Sequence, residues 1–202
     1  MIMKRTLCLI AVFIVITVFP AVADSGTSIS GFKLLTLQPG VNEIPHLVSD
    51  GRDGVIIKTW RTNGNAHGYN LFLVMVEGKV VGVSTDHGFD DVIKDDPHTI
   101  EDAIRSIRFA RGNVGSQKAV LLITATRDIK PDASPADPAT VVFDIYQLAA
   151  NGNLGTTGDF FERISESHSD KKYCNSDLAL SQKFGFPLPD PYEGQNQVDG
   201  CL

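Results

Sequence analysis

The sequence predicts a mainly β protein, an antiparallel β-sandwich, on three observations. Between residues 32 and 148, runs rich in β-branched and aromatic side chains recur between Gly, Asn and Asp turns. No long amphipathic helical pattern separates them, so the helical crossovers of a parallel α/β sheet are not encoded. The clear helix signal is short and late, where Asn175 and Ser176 are good caps for a helix over 177–184.

The elements follow in chain order. A first strand spans 32–37 and closes at Gln38-Pro39-Gly40; a second spans 41–47 and ends in the turn-rich Ser49-Asp50-Gly51-Arg52-Asp53-Gly54. Strands over 55–61 and 69–76 follow, then one over 80–84 after the Gly78 turn. In 99–111, Ile100, Ile104 and Ile107 fall at helical spacing while Ile107, Phe109 and Arg111 alternate, so we read a turn of helix over 100–103 and then a strand. Strands over 119–126 and 141–148 flank a proline-containing surface loop at 129–139. Beyond Asn151 the strand signal fades, and Pro187, Pro189 and Pro191 forbid regular structure after the helix.

The first residues set the compartment. Lys4 and Arg5 precede the uncharged apolar run 6–19, and Pro20-Ala21-Val22-Ala23 places a helix break and small residues where signal peptidase cuts. The run is short for a bilayer span of about 20 residues, so residues 1–23 read as a cleaved signal peptide and 24–202 as one exported, periplasmic domain without a stable membrane anchor. Of the 18 basic side chains, Lys4 and Arg5 leave with the leader; 16 face 24 acidic ones, a net charge near −8. Nucleic acid is an unlikely partner for such a surface, which has no basic stripe to displace counterions. Cys8 is lost with the leader, and the even pair Cys174 and Cys201 reads as a disulfide stapling the C-terminal tail. On the chain-entropy model it adds roughly 3 to 4 kcal/mol. A metal site or reactive thiol is the other reading, but no Cys-x-x-Cys spacing supports it.

Catalytic patterns are sparse. The lipase-type Gly-x-Ser-x-Gly is absent. Ser-x-x-Lys occurs at Ser30–Lys33 and at Ser169–Lys172, but neither heads an apolar helix, and the Ser-Asp-Asn and Lys-Thr-Gly companions of serine β-lactamases are missing. His46, His67, His87, His98 and His168 are scattered without a zinc-binding spacing. We therefore expect a protein that is not an enzyme and requires no cofactor. Two clusters stand out. Asp50 and Asp53, with their glycines, suit either a hard cation, calcium or sodium, or an ordinary Asp/Gly turn. Trp60, Arg61, Asn65, His67 and Tyr69 crowd one hairpin connection, which is either a ligand-binding surface or a plain hairpin loop. An anionic ligand there would take a cation from Arg61 or Lys58, if strand alternation places it outward.

The strings FKLLTLQPGVNEI (32–44), SDGRDGVIIK (49–58), NGNAHGYN (63–70), SIRFARG (106–112) and YCNSDLALSQ (173–182) resemble the CarG-type carbapenem self-resistance family along nearly the whole mature chain. The resemblance implies a β-sandwich with short terminal α-helices, related in fold to bacterial inhibitors of invertebrate-type lysozyme. It implies antibiotic resistance without known hydrolysis, with the carbapenem or its penicillin-binding target as partner. Blockade of a glycoside hydrolase is the competing function, but the inhibitor element departs here: Ser25-Gly26 and Ser30-Gly31 have no close following Tyr, and Tyr69 follows His67-Gly68. Exposed strand edges invite a homodimer.

Overall fold

The computed structural model describes residues 28–62, 68–85, 88–97, 103–150, 158–192, 194 and 196–200. Thirteen strands and one helix are present among them: β1 Ile29–Leu34, β2 Gly40–Ile44, β3 Gly54–Arg61, β4 Tyr69–Val76, β5 Lys79–Val80, β6 Gly82–Thr85, β7 Gly88–Asp90, β8 Ile93–Lys94, β9 Asp96–Pro97, β10 Ala103–Val114, β11 Gln117–Arg127, β12 Ala139–Ala149, β13 Phe160–Tyr173 and α1 Ser176–Phe184. The large sheet runs β1-β10-β11-β12-β13-β6-β7, with β9 also on β10; the small sheet runs β2-β3-β4-β5, with β8 on β4. The pairs are antiparallel except β13 with β6. The fold is the predicted β-sandwich with a short C-terminal helix.

The two faces of the large sheet carry separate cores. Between the sheets, Ile107, Phe109, Leu122, Leu148 and Phe161 meet Ile56, Phe72 and Val74. Beyond the large sheet, Leu121, Ile123, Val141, Phe143 and Ile145 are covered by Leu178, Ala179, Leu180 and Phe186 of α1 and its tail. Coverage on both sides explains why β11 is buried almost continuously from Ala119 to Arg127, without the one-sided alternation of an exposed sheet. Helix α1 starts where Asn175 accepts the Asp177 N–H at 2.8 Å, and stops at Gly185, whose φ of 72° only glycine adopts freely.

Several expectations are corrected. The longest strand, β13, was not foreseen: its sequence FFERISESHSDKKY is mostly polar, and ladder pairing with β12 makes it a strand. The expected strand over 80–84 is two, because the chain leaves the small sheet after Val80 and joins the large one at Gly82. Ala103 begins β10 rather than ending a helical turn, and residues 98–102 lie outside the described set. Residues 1–27 and Cys201 also lie outside it, which leaves Cys174, fully buried with Sγ 3.5 Å from the Gly200 carbonyl oxygen, as the described half of the expected disulfide.

Candidate functional site

Strand alternation sorts the predicted cluster. Ile56 is buried in the inter-sheet core, so the same parity turns Lys58 and Trp60 inward, and Arg61 outward. At the end of the sandwich where the small sheet no longer covers β10, this inward row lines a groove of about 620 Å³. Its floor is Phe72 against Phe109, edge to face with centroids 5.4 Å apart. Leu35 and Leu37 close one side, and Pro187–Tyr192 of the C-terminal tail form the opposite rim. Trp60, 58% exposed, stands at the mouth, and Gly68 lies so close beneath its indole that a Cβ there would come within 2.5 Å of the ring.

The five predicted contact residues separate accordingly. Trp60 and Tyr69 line the groove. Arg61 stacks over the Tyr69 ring at 5.9 Å, with Lys94 Nζ at 5.8 Å from the same centroid, so Arg61 props the aromatic, while Lys58, Arg105 and Arg108 are the cationic residues that line the groove. Asn65 and His67 lie outside the described residues. Asp50 and Asp53 precede β3, at the opposite end of that strand from Trp60, and have protein partners. Asp50 holds Arg52 through Nε at 2.7 Å, and Asp53 Oδ1 accepts the His46 N–H at 2.8 Å. Among the described residues no group of three or more His, Cys, Asp or Glu side chains converges as a metal site would require.

Sequence reading missed the polar wall. Between the segments of β10 paired to β1 and to β9, the edge is finished by side chains: Asp95 Oδ1 accepts the Ile107 N–H at 2.9 Å, and Arg108 Nη1 donates to the Ile107 carbonyl at 2.8 Å. Asp95 Oδ2 also accepts from Asn70 Nδ2 at 2.7 Å. Burial pushes the Asp95 carboxyl up to about 6, against the opposing pull of these hydrogen bonds and of Arg108. Arg108 Nη2 pairs with Asp177 Oδ1 at 2.5 Å, which ties the groove wall to the first turn of α1. Only tertiary placement makes Asp95 a strand-edge cap.

A second cavity of about 420 Å³ lies on the inner face of the large sheet, between β10–β12 and the β6–β8 segment, and contains Asp144, Tyr146 and Thr126. Arg105 lines both this cavity and the groove. The signal for it was in the sequence: Arg105 shares the parity of Ile107 and Phe109, the buried inner row. Of the Ser-x-x-Lys matches, Ser169 Oγ donates to the Lys171 carbonyl at 2.6 Å and accepts the Val141 N–H at 2.8 Å, a structural hydroxyl holding the β12–β13 pair. The groove can bind a compact ligand with an apolar body and a polar end.

No family model matches the chain, and no curated protein matches it. Among solved structures, the one described as the crystal structure of CarG is similar over 74% of this chain and 94% of its own, at 16% sequence identity and a TM-score of 0.60. The chain therefore has a CarG-like fold.

Proposed function

We propose that this protein is an exported, periplasmic carbapenem self-resistance factor that acts without hydrolysis, by holding the antibiotic in the groove beneath Trp60. The observation that carries the reading is the convergence there of Trp60, Phe72 and Lys58 around a cavity of about 620 Å³, within the range that takes a drug-sized ligand. A carbapenem presents a small bicycle with apolar faces, a lactam carbonyl and one carboxylate. Aromatic side chains and a cation suit the apolar faces and the carboxylate. The CarG-like fold supports the same ligand class. The leader at residues 1–23 supports export.

Trp60 is the sole tryptophan, so binding has a built-in reporter. Titrating the mature protein with an intact carbapenem is expected to change tryptophan fluorescence saturably and to give a matching calorimetric isotherm, while ring-opening absorbance stays flat. Expression in a sensitive host should raise its tolerance. Absence of heat and fluorescence change, together with unaltered tolerance, would remove this reading; inhibition of a purified lysozyme would replace it with the glycosidase-blocking one.

A further inference from the structure

We propose that Arg105, where the groove meets the second cavity, recognises the ligand's carboxylate, and that the site therefore selects small monocarboxylates; this rests on the binding reading above. The argument begins with how the described arginines are used. Arg52, Arg108 and Arg163 each pair with carboxylates. Arg111 donates to the Pro45 carbonyl and Arg127 to those of Tyr173 and Asp137, while Arg61 lies over Tyr69. The Arg105 side chain makes no hydrogen bond or ion pair with any described residue, and its Nε is buried without a partner.

A guanidinium is always charged, and a buried donor left unsatisfied costs about 1–3 kcal/mol. Folded proteins leave few such groups, and those they leave call for an explanation. Here the guanidinium borders two cavities, one of which is lined by aromatic and aliphatic side chains. An incoming carboxylate would satisfy Nε and a terminal nitrogen together, the planar fork that arginine offers and lysine does not.

The neighbours set the charge of the ligand. Asp144 feels the charge of Arg105 but is engaged elsewhere, with Arg163 Nη1 at 3.4 Å and Thr124 Oγ1 at 3.5 Å. Asp95 caps the β10 edge on the groove side. These carboxylates would oppose a second negative charge on the ligand, so a monocarboxylate is favoured over a phosphate dianion. Lys58, on the facing strand, adds long-range attraction as a point charge.

The test is side-chain NMR of the arginine Nε–H resonances of the full mature chain, with Arg105 assigned by loss of its peak in Arg105→Gln. Sodium benzoate and an intact carbapenem are titrated separately. The expected result is a saturable shift of the Arg105 peak with both, and a Kd for the carbapenem raised roughly 10- to 100-fold in Arg105→Gln. Arg105→Lys, which keeps the charge but loses the fork, should fall between, and it substitutes if the glutamine variant does not fold. The carboxyl ester of the carbapenem should bind the wild type as weakly as the acid binds Arg105→Gln. A shift with benzoate but none with carbapenem would overturn the drug reading and leave carboxylate recognition standing. An Arg105 peak unmoved by either compound, or a carbapenem Kd unchanged in both variants, would overturn the proposal.

Discussion

The turn around Arg52 and the wall around Arg105 use the same residue type in opposite ways. Arg52 is surrounded by Asp50 at 2.7 Å, Asp159 at 2.8 Å and Glu77 at 3.5 Å. The hydrogen bonds that its guanidinium donates to Asp159 and Asp50 hold it above its ordinary value, and the Arg52 backbone N–H, donated to Asp50, in turn lowers that carboxyl. Asp50 and Arg52 are absorbed into stapling the turn to β13's approach at Asp159, and Asp53 accepts the His46 N–H. At Arg105 a donor is buried and nothing among the described residues meets it. The contrast separates charges that hold the fold from a charge kept for something else, and it redirects attention from the Asp-Gly-Arg-Asp turn, conspicuous in sequence, to an arginine that sequence inspection passes over.

Four measurements would break or sharpen that contrast. The largest effect belongs to the shared floor: Phe109→Ala should cost about 3–5 kcal/mol in urea unfolding, because the ring is 2% exposed and packs against both Phe72 and Phe161. Loss of much less would mean that the groove is not built on the inter-sheet core. Next, Arg108→Ala should lower stability by about 2–3 kcal/mol, since it strands Asp177 and uncaps the Ile107 carbonyl at a mostly buried position. If it does not, the groove wall is not tied to α1.

The third concerns Asp95. Its carboxyl titrates near 6 in the folded protein and near the ordinary 3.8 when unfolded. Between these values the native state holds a proton that the unfolded chain releases, so unfolding free energy falls as pH rises from about 4 to about 6 and levels off above. The fall should be on the order of 3 kcal/mol. Asp144, raised chiefly by burial, acts in the same direction. Asp95→Asn should remove most of the slope in urea denaturation followed across pH 4–7; an unchanged slope would place the titration elsewhere. The smallest shifts should have opposite signs: Arg52→Met lowers the urea midpoint, whereas Arg105→Met leaves it unchanged or raises it, because removing an unsatisfied buried donor relieves its desolvation. Equal losses would end the distinction between the two arginines.

The sequence by itself determined the strand runs that became β3, β4, β11 and β12, the two-layer β architecture, and the capped helix α1, since each is set by side-chain alternation, β-branching or a local cap. It also placed Trp60 and Tyr69 together, because they flank one hairpin connection and pair through their neighbours Arg61 and Asn70. Tertiary structure decided the rest. The polar β13 is a strand because β12 supplies its ladder, the chain changes sheets at Val81, and Asp95 becomes a cap because β10 lacks a neighbouring strand at Ile107. Arg105 acquired its meaning only when two cavities opened beside it and six other described arginines found partners. Local pattern reports which face a side chain takes, but whether a buried charge is satisfied depends on groups that folding brings from distant parts of the chain.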